Sequence, residues 1–321
     1  MRQPTLADVR AAAARMPAEV QGTPCVEAPW LSSGRGHTVW LKVECLQPTH
    51  SFKVRGAANA VAAIVEQQAA PALVTASAGN HGAALAWACR RHRLPLVVFT
   101  PRSAPAAKLA AIEESGADLR SIAADYDEAE RLALAWSREH ESRYVSPYND
   151  PLVVSGAGTV GLEIAAQVPD ANEVLVPLGG GGLLSGIALA MRGTRPRCRL
   201  VGVEAQASPA FTTALARGSI TTVEVGASLA DGLVGNLEPG SITFDIVREL
   251  VDDVRLASER GIRRAVTELL QFQHLVAEGA GAIGVAALLD ERARATHNES
   301  HTTVVVVTGA NVDLDVLRAL V

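Results

Sequence analysis

Aromatic side chains are scarce in this chain, 4% of 321 residues, whereas Gly occurs 27 times. An interior with so few rings has to be filled by small aliphatic groups at close range, as where helices lie on sheets. Positive charge is not in excess. The 29 Lys and Arg face 34 Asp and Glu for a formal net charge of -5, and no basic cluster is present to neutralise a phosphate backbone, so nucleic acid is not an expected partner. No apolar run approaches the ~20 residues of a membrane-spanning helix. Candidates such as 304–307 have the length of a strand, and no membrane partner is expected. The amino-terminal stretch MRQPTLADVRAAAARMP lacks the sustained apolar core of a signal peptide and does not read as a transit peptide, so the expected compartment is the cytoplasm. Cysteine occurs four times, at Cys25, Cys45, Cys89 and Cys198, without a CxxC pair or Cys/His ligand spacing. A chain of this length needs no covalent stapling, and all four read as reduced. Hydrophobic residues at 48% with charged residues at 20% exclude disorder.

What is present is an alternation of short, β-rich apolar runs with longer Ala/Leu/Glu segments of helical period, which predicts an α/β fold of parallel strands joined by helical crossovers. Strands are expected at 38–43, 72–75, 96–100, 118–122, 173–176, 199–203 and 302–307. Helices are expected at 6–16, 54–67, 81–92, 106–115, 127–141, 158–167, 183–191, 208–216, 243–250, 259–272 and 280–289, with a last one after Asn311. Thr5 is placed to cap the first, with Asp8 nearby. The usual ~150 residues per domain suggests two units. Breaks around Pro71 and around Tyr144 to Pro151, where SPYNDP interrupts the pattern, set off a smaller unit over 72–147 from a larger one made of 1–71 plus 148–321. The polar stretch 291–301 reads as a surface loop.

Four segments carry chemistry. The strand EVLVP runs through Leu178 into Gly179, Gly180, Gly181 and Gly182 before a helix, an order that aims free backbone N–H groups and a positive helix end at an anion. The loop lacks the GK[ST] of a nucleoside-triphosphate site and the spacing of GxGxxG, so a phosphate on another kind of ligand is indicated. In SFKVRGA, Lys53 stands at a helix start beside Phe52, where burial and the helix dipole lower an amine pKa toward the neutral nucleophile. In VTASAGNHG, a strand-to-helix turn offers the Ser77 hydroxyl, the amides of Ala78 and Gly79, the Asn80 side chain and His81, a clasp suited to a carboxylate. In VVVVTGANVD, Thr308 ends a strand at the carboxyl edge where ligands collect. A phosphate cradle, a reactive lysine, a carboxylate clasp and a neutral hydroxyl together suit a pyridoxal phosphate enzyme acting on an amino acid.

With SFKVRGA, TASAGNHG, VSGAGTVGLEI, PLGGGG, SLADG, AEGAGAIGVAA and VVTGANVD in order, the chain resembles the tryptophan synthase β family, the fold type II pyridoxal phosphate enzymes, and within it the serine/threonine dehydratase and serine racemase branch. The resemblance implies a two-domain fold, each domain a mainly parallel twisted sheet flanked by helices, the large one binding the cofactor and the small one closing on substrate. It implies that Lys53 forms the Schiff base with pyridoxal 5'-phosphate, Asn80 bonds the ring hydroxyl, Gly179 to Gly182 hold the phosphate, Thr308 faces the pyridine nitrogen, Glu278 lies near the ring, and the Ser77 to His81 turn takes the substrate carboxylate. A homodimer is implied as well.

Departures narrow the expected reaction. Racemases of the branch carry a serine at the position of Ala78, and Ala76 stands where racemases and some hydroxyaspartate dehydratases have a histidine. The helix around Glu130 has no arginine where a substrate β-carboxylate would be met. The family's cation site is matched at Glu204 but has Ala210 in place of its acidic partner, so no metal is assigned. The expected activity is an ammonia-lyase: α,β-elimination on an L-β-hydroxy amino acid, threonine or serine foremost, giving a 2-oxo acid and ammonia. The alternatives are a specialised dehydratase (of 3-hydroxyaspartate, a phenylserine or an intermediate of compatible-solute breakdown), a non-catalytic binder of the cofactor, and, weakest, a nicotinamide-dependent oxidoreductase.

Overall fold

The computed structural model describes residues 2–32, 37–67, 72–104, 106–292 and 301–320. The expected break around Pro71 and most of the expected loop over 291–301 lie outside them. The parallel α/β class is borne out in two sheets. The larger has the order β1 (Cys25–Glu27), β2 (His37–Val43), β10 (His301–Val307), β7 (Glu173–Pro177), β8 (Arg199–Ala205), β9 (Asp253–Ala257), all parallel except β1, which runs antiparallel to β2. The smaller has the order β5 (Asp118–Ala123), β4 (Leu96–Pro101), β3 (Leu73–Ala76), β6 (Arg143–Tyr144), all parallel.

Helices fill the connections: α1 (Leu6–Arg15), α2 (Lys53–Glu66), α3 (Asn80–His92), α4 (Ala106–Glu113), α5 (Tyr126–Glu139), α6 (Pro151–Gln167), α7 (Gly182–Thr194), α8 (Ala210–Arg217), α9 (Ile242–Leu250), α10 (Glu259–Gln273), α11 (Gly279–Arg292) and α12 (Leu314–Leu320). The pleat of β10 sorts its valines. Val305 and Val307 join the cluster holding Ile262, Val266 and Ile283 of α10 and α11, while Val304 and Val306 join that of Val160, Ile164, Leu184 and Ile187 from α6 and α7. Thr5 and Asp8 cap α1 reciprocally, as expected.

Three strands and one helix start differ from the sequence reading. β1, β6 and β9 are short and carry no apolar run, because two are sheet-edge strands and the third is a two-residue edge. Helix α6 begins at Pro151, seven residues before 158. Asp150 caps it by accepting from the Leu152 N–H at 2.8 Å, and Pro151 occupies the first turn. The residues Pro151 to Ala157 fall outside the helix expected from sequence, yet they are helical, and neighbouring helices come to backbone contact there and at Gly158. A Cβ on Gly156 would run into the Arg55 carbonyl of α2, and one on Gly158 would lie 2.7 Å from the Gly186 carbonyl of α7. The carboxyl ends of β2, β10 and β7, neighbours in the larger sheet, lead to Lys53, Thr308 and Gly179 to Gly182, and the carboxyl end of β3 leads to Ser77.

Candidate active site

Lys53 is the first residue of α2, after the Phe52 cap position. The approach to it is pinned to the end of β10: the Phe52 N–H donates to the Thr308 carbonyl at 3.0 Å, and the Ala310 N–H donates to the His50 carbonyl at 2.9 Å. The Lys53 Nζ lies 5.3 Å from the Phe52 ring centre and donates to the Pro147 carbonyl at 2.9 Å. Burial pushes its pKa down to about 8, with the Glu278 carboxylate pulling the other way. The amine is therefore neutral in a substantial fraction near physiological pH.

The β3–α3 turn stands over it. Ser77 Oγ accepts from the N–H groups of Gly79 at 3.2 Å and Gly82 at 3.0 Å, which shapes the turn and leaves the hydroxyl hydrogen to donate elsewhere. Ala78, Gly79 and Asn80 are half-buried, and a Cβ on Gly79 would meet nothing within 4 Å. His81 is buried, and its Nε2 contacts the Val145 carbonyl at 3.1 Å. A carbonyl only accepts, so Nε2 carries the hydrogen. Burial, then the Lys53 ammonium, holds the imidazole pKa down at about 3. His81 is thus a neutral ring whose Nδ1 is a bare acceptor without a partner among the described residues.

Asn80 links the sheets. Its Nδ2 donates to Glu278 Oε1 at 2.7 Å, and its Oδ1 accepts from Asn311 Nδ2 at 2.7 Å; the latter also donates to the Thr49 carbonyl at 3.0 Å. Glu278 lies just ahead of α11, with its N–H on the Gly309 carbonyl at 3.0 Å. The Thr308 hydroxyl is buried and donates at 3.5 Å to the Ala280 carbonyl.

Between β7 and α7, the N–H groups of Gly179, Gly180, Gly181 and Gly182 find no acceptor among the described residues. Gly181 takes φ 83°, and a Cβ there would lie 2.6 Å from the Phe211 ring. A Cβ on Gly180 would stand inside the Tyr148 ring, which roofs the loop, and Thr243 Oγ1 donates to the Gly180 carbonyl at 2.8 Å.

Glu204 accepts from the N–H groups of Phe211 at 2.7 Å and Thr212 at 2.8 Å and from the Thr212 hydroxyl at 2.7 Å, so its carboxylate caps α8. No group of three or more His, Cys, Asp or Glu suited to a metal occurs among the described residues. Pro147, Tyr148 and Asn311 were not singled out in sequence. Pro147 acts through a backbone carbonyl, which no residue pattern advertises, and SPYNDP reads only as a run of turn formers.

Comparison with known proteins places the chain. Residues 17–309 match the family described as pyridoxal-phosphate dependent enzyme. The L-threonine ammonia-lyase of Geobacter sulfurreducens is 39% identical over 307 residues, 96% of this chain and 75% of that one. The serine racemase of Oryza sativa subsp. indica is 33% identical over 311 residues, 96% of this chain and 91% of that one. Maize serine racemase superposes with a TM-score of 0.91 at 32% identity, covering 99% of this chain and 98% of the other. The chain belongs to the pyridoxal-phosphate-dependent enzyme family, and its cofactor is pyridoxal phosphate. Its residues fit that group: a lysine amine with a depressed pKa, a loop of unspent N–H donors at a helix start, and a cradle in which any Cβ at Gly180 or Gly181 would collide with a ring. No helix among the described residues is long and apolar enough to cross a membrane.

Proposed function

We propose that this protein is a dehydratase that eliminates water from an L-β-hydroxy amino acid, of which L-serine and L-threonine are the simplest, the released enamine then being hydrolysed by water to a 2-oxo acid and ammonia. The observation that carries the reading is Lys53, a half-buried lysine whose amine has a pKa lowered to about 8 by desolvation and is held on the Pro147 carbonyl, next to the Tyr148 that roofs the glycine loop and close enough to His81 to act on its charge. Bound pyridoxal phosphate supplies an electron sink for the carbanion that develops at the substrate Cα. Lys53 takes the α proton, for which an amine pKa near ambient pH is suited. The N–H groups of Gly179 to Gly182 hold the phosphate, and Asn80, oriented by Glu278 and Asn311, serves the ring hydroxyl. The buried Thr308 hydroxyl would face the pyridine nitrogen and, being neutral, would not hold a proton there as a carboxylate would, which suits elimination. The Ser77 hydroxyl and the amides of Ala78 and Gly79 receive the substrate carboxylate, with His81 beneath them. Ala78 has no transferable proton, which supports elimination over inversion, the reaction named for the racemase relatives. In the domain division we propose, residues 72–147 close over the bound substrate.

The test is an absorbance spectrum of purified protein before and after L-threonine, L-serine and borohydride, with ammonia measured across a panel of β-hydroxy amino acids. Lys53→Ala should cut ammonia release by at least about 1,000-fold. Unaltered turnover in that variant on every substrate contradicts the assignment.

A further inference from the structure

The run Tyr144 to Asn149 is a wall with two ends. At one end Pro147 receives Lys53, Val145 receives His81, and Tyr148 roofs the glycine loop. At the other it meets two carboxylates from different parts of the chain. Tyr144 OH donates to Glu130 Oε1 of α5 at 2.8 Å. Asn149 Nδ2 donates at 2.8 Å to Glu238 Oε2, from the loop ahead of α9, whose N–H in turn donates to Tyr148 OH at 3.1 Å.

The charge here is of one sign. Neither Glu130 nor Glu238 belongs to an ion pair among the described residues. Burial, and then the negative charges of Glu238 and Asp127, push the Glu130 carboxyl up, with Tyr144 opposing. Burial and the same two glutamates push up the phenols of Tyr126 and Tyr144. Half-buried carboxylates whose charges act on one another cost stability unless a cation completes them. A second observation lies on the same run: Val145, next to Tyr144, holds His81 through Nε2, and the His81 Nδ1 is a fully buried acceptor that lacks a donor among the described residues, which an incoming N–H would supply.

We propose that the side chain of the natural substrate ends in a cationic nitrogen received by Glu130 and Glu238. Resting on the dehydratase reading above, this makes the substrate class L-β-hydroxy amino acids with a distal amine. Threonine and serine satisfy the elimination chemistry but leave the carboxylate pair uncompensated.

The experiment titrates the holoenzyme with compounds that lack a β-hydroxyl and have nothing to eliminate: L-2,4-diaminobutyrate and L-ornithine against their neutral counterparts L-2-aminobutyrate and L-norvaline. Binding is read from the cofactor absorbance. At least one amine should bind about tenfold or more tightly than its neutral counterpart, and Glu130→Gln with Glu238→Gln should remove that preference. Equal binding within both pairs in the wild-type protein overturns the inference, as does a preference that survives both substitutions. The wild-type comparison alone decides even if a variant fails to fold. Ammonia release is measured in parallel with L-threonine and with 4-aminothreonine, threonine bearing an amine on its terminal carbon. Turnover of threonine with no amine preference in binding sinks this inference and leaves the dehydratase intact. A clear amine preference without ammonia from any β-hydroxy amino acid does the reverse.

Discussion

Lys53 illustrates how a single side chain is held in an unfavourable state for use. Burial takes its ammonium out of water, and the one hydrogen bond it makes among the described residues, to the Pro147 carbonyl, does not compensate a full charge. Its depressed pKa is a statement about stability. A base whose pKa falls from 10.5 to about 8 on folding penalises the folded state in full below about pH 8, and the penalty fades as pH rises toward 10.5, where both states are neutral. Lys53→Met should therefore stabilise the cofactor-free protein by about 1 kcal/mol at pH 7. That gain, read by denaturant melts, should shrink steadily between pH 8 and 10.5. A gain that grows with pH contradicts the assignment of a buried, unpaired amine. At this scale the sequence was readable in where the candidate residues fall: Lys53, Asn80, the four glycines and Thr308 all lie at element junctions, as their motifs led one to expect. It was silent on Pro147 and Asn311, because each matters through a partner 94 or 231 residues away.

Two elements position that chemistry, α2 and the loop ahead of α7. Arg55, two residues beyond Lys53 and fully buried, donates to Glu44 Oε1 and Oε2 at 2.7 Å each and to Glu163 Oε1 at 2.7 Å, while Lys42 donates to Glu163 Oε2 at 2.6 Å. Two cations and two anions thus tie the start of α2 to α6, to β2 and to the residues that follow β2. Arg55→Met removes one cation, strands the Glu44 carboxylate and leaves Glu163 with Lys42 alone, and should cost about 3–5 kcal/mol, measured as the shift of the urea midpoint at unchanged slope. The glycine loop is limited by shape. A methyl at Gly180 has to displace the Tyr148 ring, so Gly180→Ala should weaken cofactor affinity by about tenfold or more in a fluorescence titration, with little change in far-ultraviolet dichroism. Helix α6 shows why element boundaries escape a local reading. Gly156, left out of the expected helix, and Gly158, at its expected start, are there because α2 and α7 press on them, a fact of packing rather than of propensity.

Across the whole molecule, the site lies where two sheets meet: Asn80 follows β3 of the smaller one, while Glu278 and Asn311 flank β10 of the larger. A ligand bridging them stabilises both together. At a free cofactor concentration ~100 times its dissociation constant, the gain should be about 2.7 kcal/mol, seen as a raised and single melting transition. Under the same conditions Gly180→Ala should lose most of that gain. A melting temperature indifferent to cofactor counts against a site shared by the two sheets. From the order of its apolar runs and glycine turns, the sequence by itself determined the parallel α/β class and the placing of the glycine loop and of Lys53 at the starts of helices, since each depends on neighbours within a few residues. Only the tertiary structure decided that Glu204 is a helix cap, that His81 is a neutral ring with one idle nitrogen, and that Glu130 and Glu238 share a wall with the lysine. Those outcomes depend on which distant groups burial brings together, and Coulomb and hydrogen-bond energies act over ångströms in space, whatever the separation along the chain.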